Sequence, residues 1–108
     1  MLELKSIDGI EEAIKEGAVL LYVSAPNCSV CDALKPKVEA LFGERFPKVR
    51  LFEANVAKVP ELAGRFNIFS APAILIFFDG QEFVREGRNV SLELLAQRLG
   101  KIYDVYFE

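Results

Sequence analysis

The 108-residue chain contains no histidine and no tryptophan, one methionine and two cysteines. Without an imidazole to activate it, no cysteine here can work as a histidine-assisted hydrolase nucleophile. The same gap bears on metals, because one cysteine pair supplies only half of a four-ligand structural zinc site. Only two chains sharing a zinc ion or an iron–sulfur cluster across a dimer could complete the set, so neither a metal nor another cofactor is expected of one chain. An excess of positive charge is missing too: 13 Lys and Arg stand against 16 Asp and Glu, a net charge of −3 with no long run of either sign. That balance offers nothing to nucleic acid or to an anionic membrane surface. The longest early apolar run, Val19–Val23, is far too short to cross a bilayer. Met1-Leu2-Glu3-Leu4-Lys5-Ser6 lacks the basic start and apolar stretch of a signal peptide. The expectation is a soluble cytoplasmic protein. Repeats, linkers and low-complexity segments are absent as well. A chain of 108 residues, 52% of them hydrophobic, suits one domain over 1–108 with a single core.

What is present is organised around Ala25-Pro26-Asn27-Cys28-Ser29-Val30-Cys31-Asp32. In a reducing compartment a cysteine pair is a poor structural staple, which leaves catalysis or metal. An apolar strand precedes the stretch, and a segment with helical spacing, Cys31 to Phe42, follows it. The start of a helix offers unpaired N–H groups and the positive end of the dipole, both of which favour a thiolate. Cys28 placed just before the first turn should have a pKa below the free value of about 8.5. Cys31, one turn on, is then set to attack a mixed disulfide on Cys28.

The rest of the chain reads as a frame for that junction. Residues 2–7 alternate as a short edge strand. Ser6 or Asp8 caps a helix with Ile10, Ala13 and Ile14 inward, and Gly17 ends it. Ala18–Ser24 is apolar almost throughout, which requires cover on both faces and a central place in a sheet. Leu34, Val38, Leu41 and Phe42 recur at helical spacing; Pro36 predicts a kink inside that helix, and Gly43 closes it. Val49–Val56 reads as a strand with Leu51, Glu53 and Asn55 on one face. Pro60 opens a short helix over 60–66. Ala73–Phe78 is the second strongly apolar run, Asp79-Gly80 signals a hairpin, and Gln81–Glu86 returns. Ser91 caps a final helix that either stops at Gly100 or runs on through Ile102, Val105 and Tyr106. The order β α β α β α β β α gives an α/β fold, a mixed sheet sandwiched between helices.

These elements and the residues at their joints resemble thioredoxin over essentially the whole chain. Cys28-Ser29-Val30-Cys31 falls where that family carries its Cys-X-X-Cys. Pro36, five residues past the second cysteine, matches the family's kinking proline. Ser70-Ala71-Pro72-Ala73 matches its cis-proline loop, and Gly80 and Gly87 also fit. The resemblance implies a thioredoxin fold, a cis Ala71-Pro72 bond facing the cysteines, and an extended substrate segment pairing with Ala71 as a short added strand. It also implies protein-disulfide substrates and a partner reductase or other dithiol donor, glutathione included. On this reading Cys28 attacks and Cys31 resolves, while Asn27, Val30, Ala71 and Pro72 face the substrate.

The departures from the family pattern bear on partners and on proton transfer. Trp-Cys-Gly-Pro-Cys is replaced by Asn27-Cys28-Ser29-Val30-Cys31, which removes an apolar contact near the disulfide. The family's buried aspartate has become Tyr22, and the lysine beside it Glu53. Glu53, its pKa raised by burial, is the candidate base for Cys31, with Tyr22 as a second proton partner; the rival reading of Glu53 is a solvated strand charge. Asp32 opposes a nearby thiolate, with Lys35 at i+3 to offset it. Val30, Ala71 and Phe69 are candidates for an apolar docking patch, Phe69 otherwise filling the core. The apolar tail Ile102–Phe107 either packs back along the last helix or makes a dimer or partner contact. The expected assembly is a monomer or weak dimer, and the rival function is a non-catalytic adaptor with the same fold.

Overall fold

The structure is a computed structural model that describes residues Met1–Glu108. Its elements are β1 (Leu2–Glu3), α1 (Ile7–Ile14), β2 (Ala18–Ser24), α2 (Ser29–Arg45), β3 (Arg50–Asn55), α3 (Leu62–Phe66), β4 (Ala73–Phe78), β5 (Gln81–Glu86) and α4 (Leu92–Tyr106). The five strands form one sheet in the order β1-β3-β2-β4-β5. β1, β3 and β2 run parallel, while β4 is antiparallel to β2 and β5 to β4.

β2 and β4 are the two apolar runs, and both are buried along nearly their whole length. Alternation along β2 divides its side chains between two layers, so the expected single core is split by the sheet. Leu20 and Tyr22 point to a layer closed by Val38 and Phe42 of α2 and by Leu95, Ala96 and Leu99 of α4. Val19, Leu21 and Val23 point to the other, closed by Ile10 and Ile14 of α1 and Leu62 of α3. Each buried Leu, Ile, Val or Phe contributes about 1.5–3 kcal/mol to holding these layers together. Asp79 and Gly80, both at positive φ (52° and 85°), make the hairpin turn that the Asp-Gly pair predicts.

Several element ends differ from the sequence reading. Gly43 does not close α2, which continues to Arg45 with Phe46 as its C-cap. The Phe46 ring packs on Phe42 at 5.3 Å, so burying both rings favours the extra turn. Pro60 lies in the turn before α3 rather than inside it. Gly100 does not stop α4. The helix runs on because Tyr103 seats against Phe46 and Tyr106 against Phe78, each pair of rings 5.1 Å apart. The apolar tail is thus part of α4 and anchored on the first layer.

Candidate active site

Strand pairing brings the cysteine stretch and the proline loop together. Val23 at the end of β2 is the register partner of Ala73 at the start of β4. The chain leaving β2 therefore emerges beside Ala71-Pro72, whose peptide bond is cis. Ala25 and Ala71 line one depression of about 390 Å³, together with Val56, Pro60, Ile68 and Phe69. Pro26 and Asn27 then turn the chain, with Asn27 at φ 55°, a left-handed conformation that asparagine tolerates better than most residues.

Cys28 is the N-cap of α2 in extended conformation, and its sulfur accepts the Cys31 amide at 3.1 Å. The two cysteines are joined as a disulfide, with Cα atoms 5.2 Å apart. Cys28 is partly exposed, whereas Cys31 is 2% exposed. A thiol arriving from solvent can therefore reach the outer sulfur and not the inner one.

Beneath the disulfide, Tyr22 is fully buried and its hydroxyl donates to the Cys31 carbonyl at 2.7 Å. Burial, reinforced by the charges of Glu53 and Asp32, pushes its pKa up to about 12. At neutral pH the phenol is therefore protonated and cannot accept a proton from Cys31. It holds the backbone of the first helical turn. Pro36, with no N–H, cannot bond the neighbouring Asp32 carbonyl, so the tyrosine braces α2 beside the place where its ladder is interrupted.

Glu53 is the register partner of Tyr22 on β3. Its carboxylate is 2.5 Å from the Lys35 ammonium, with 18% of the Glu53 side chain exposed. It is neither a solvated edge charge nor a solitary buried carboxyl. The hydrogen bond that Lys35 donates to Glu53 raises the Lys35 pKa, partly opposed by burial. Lys35 is thus paired with Glu53 rather than with Asp32, which corrects the expected i, i+3 offset: its long side chain bridges to β3 where burial strengthens the pair. Phe69 is 79% exposed, so it belongs to the surface around the site and does not fill the core.

A second depression of about 390 Å³ lies on the other flank of the disulfide, lined by Val30, Leu34, Lys37, Arg88, Val90 and Leu92 among others. Lys37 and Arg88 were not singled out in the sequence. The helical spacing of Val30, Leu34 and Lys37 was the available signal for half of this wall. No cluster of three or more His, Cys, Asp or Glu side chains is grouped to hold a metal ion.

Residues 5–100 match the family model described as Thioredoxin. The chain belongs to the thioredoxin family. It is 40% identical over 107 residues to the thioredoxin-like protein YdfQ of Bacillus subtilis, covering 98% of this chain and 95% of that protein. It is 33% identical over 85 residues to a thioredoxin of Chlamydia muridarum, covering 79% and 82% of the two chains. The crystal structure of thioredoxin from Trypanosoma brucei brucei superposes with a TM-score of 0.83 at 19% identity, over 96% of this chain and 91% of that one. The mixed sheet flanked by four helices is thus the thioredoxin fold. Thioredoxin-family membership and a cysteine pair that closes as a disulfide together support thiol–disulfide oxidoreductase chemistry in general. The family generally acts on protein disulfides with a reductase as partner.

Proposed function

We propose that this chain, as one domain, reduces or exchanges disulfides in protein substrates through Cys28 and Cys31. The observation that carries the reading is the unequal placing of the two sulfurs: Cys28 partly exposed at the α2 N-cap, Cys31 buried behind it. In the reduced protein the Cys31 amide and the helix dipole favour a Cys28 thiolate. That thiolate attacks one sulfur of a substrate disulfide, forming a mixed disulfide and releasing a substrate thiolate that takes a proton. Cys31 loses its proton and attacks the Cys28 sulfur, closing the internal disulfide and releasing the second substrate thiol. Two electrons pass to the substrate, and a partner reductase, another dithiol or glutathione restores the pair. No bound cofactor takes part.

Ala71 and Pro72 form the shelf on which an extended substrate segment pairs, with Asn27 and Val30 beside the reacting sulfurs. Glu53, held by Lys35, exchanges the proton with Cys31. Glu53→Gln should slow reduction of a substrate disulfide several-fold while leaving Cys28 alkylation at high pH unchanged; an equal reduction rate discards that role. A cytoplasmic setting favours the reductive direction, in which the protein contributes to cell redox homeostasis. Iodoacetamide labelling against pH tests the central claim. A reactive Cys28 titrating below about 8 supports the oxidoreductase. Two sluggish thiols support an adaptor instead. Redox titration against glutathione then fixes the direction.

A further inference from the structure

The two flanks of the disulfide differ in charge. The depression on the Ala71 side is lined by Ala, Val, Pro, Ile, Phe and Ser residues and carries no ionisable side chain. The depression on the Val30 side combines five hydrophobic residues with Lys37 and Arg88. Neither cation is ion-paired, although seven other ion pairs occur in the molecule. Neither donates a side-chain hydrogen bond within the protein, and both are exposed. The acidic groups near the cysteines lie elsewhere. Asp32 is off the Val30–Leu34–Lys37 face of α2 and close enough to Tyr22 for its charge to act there, and Glu53 is taken by Lys35.

We infer that the depression formed by Val30, Leu34, Lys37, Arg88 and Val90 receives an acidic, partly apolar segment of the substrate polypeptide beside the disulfide being exchanged. The inference rests on the oxidoreductase reading above and gives it a substrate class. Val30 lies between the two cysteines in the chain, so a segment joined through sulfur to Cys28 is delivered to this wall. Its apolar side chains meet Val30, Leu34 and Val90, and a carboxylate meets two cations that have no partner in the free protein. On the opposite flank a carboxylate would meet no cation, and Ser70 alone offers a polar side chain to offset its lost hydration. Charges at the rim of a contact act mainly on the association rate and its salt dependence. The surface thus selects among disulfides before chemistry begins.

The test uses reduced protein and disulfide-linked dimers of short peptides that differ only beside the cysteine, where Glu-Leu, Gln-Leu or Lys-Leu is placed. One set carries the pair before the cysteine and one set after it. Rates are divided by those with dithiothreitol, which corrects for the intrinsic reactivity of each peptide. In at least one set the Glu peptide should react about fivefold faster than the Lys peptide at low ionic strength, with Gln between them, as expected for two surface charge pairs. The ratio should approach one near 1 M salt, where the screening length is about 3 Å. Lys37→Gln combined with Arg88→Gln should abolish the preference, while Lys5→Gln combined with Lys101→Gln, the same change in net charge elsewhere, should keep it. Equal corrected rates in both sets overturn the inference and leave the oxidoreductase reading standing. A preference that survives Lys37→Gln with Arg88→Gln also overturns it. Absence of reaction with every peptide overturns the oxidoreductase reading, and this inference with it.

Discussion

At the start of α4 the Ser91 hydroxyl accepts the Leu94 amide at 3.2 Å, and at the start of α2 the Cys28 sulfur accepts the Cys31 amide at 3.1 Å. Both cap residues are extended, and both helices carry a carboxylate in the first turn, Glu93 and Asp32. The geometry is shared but the chemistry is not. A hydroxyl is a good neutral acceptor and contributes the same cap whatever the state of the protein. Sulfur is a weak acceptor when neutral and a strong one as a thiolate, so the α2 cap strengthens when Cys28 loses its proton. Glu93 assists its helix through the dipole, whereas Asp32 assists the helix but repels the thiolate at its tip. One helix start serves only the fold, and the other ties helix stability to the ionisation of a reactive group.

The sharpest way to break this comparison is to give α2 the cap of α4. Cys28→Ser keeps a side-chain acceptor for the Cys31 amide and removes the nucleophile. Disulfide exchange should fall to background, while the melting temperature of the reduced protein changes by only a few degrees, as expected when one good cap replaces another. A circular dichroism melt beside an exchange assay reads both. Cys31→Ser comes next in size. The outer sulfur still attacks but nothing resolves the adduct, so a covalent complex with a disulfide substrate should persist on a non-reducing gel and vanish with dithiothreitol. Rapid spontaneous release would mean that the buried sulfur is not the resolving group.

The sequence made much of this visible because the decisive signals were local. The apolar runs Val19–Val23 and Ala73–Phe78, the Asp79-Gly80 turn and the caps Ser6 and Ser91 each depend on neighbours a few residues away. The cysteine pair and the proline loop could be matched by spacing. What stayed hidden was decided across the fold. Gly43 and Gly100 look like helix stops, yet aromatic packing of Phe46, Tyr103 and Tyr106 outweighs the modest helix cost of glycine, about 1 kcal/mol each. Lys35 has a plausible local partner in Asp32, and only the placement of β3 shows that Glu53 takes it. Lys37 and Arg88 come from distant parts of the chain, and no local pattern announces that they share a wall. Tyr22 is read from the family pattern as a proton partner, and the carbonyl it serves appears only when α2 is laid over β2.

That tyrosine offers a smaller way to separate the two helix starts, because α4 has no buried hydroxyl bracing its first turn from below. Tyr22→Phe removes the bond to the Cys31 carbonyl and should cost about 1 kcal/mol at neutral pH. The folded phenol has its pKa raised to about 12, above its ordinary value of 10.0. The stabilisation linked to that shift is complete below the ordinary value and is lost as pH rises towards the folded one, since the unfolded chain releases its proton first. The gap in urea-unfolding free energy between wild type and Tyr22→Phe should therefore shrink between about pH 10 and pH 12. A gap that stays constant over that range would count against a buried phenol.

The smallest effect should come from the helix that serves as reference. Ser91→Ala leaves the Leu94 amide without its acceptor and should lower stability by about 1 kcal/mol. For a domain of this size that is roughly a 4–8 °C fall in melting temperature. Because α4 meets the sheet through Leu95, Ala96 and Leu99, whose burial is untouched, the helix should persist with a frayed first turn. The pH profile of Cys28 alkylation should not move, since the Ser91 hydroxyl is engaged with the Leu94 amide and makes no hydrogen bond to the cysteine pair. If the loss of this cap did shift the thiol profile, the two helix starts would be coupled through the wall that Val90 and Leu92 share with Val30, and the division between a structural cap and a reactive one would have to be redrawn.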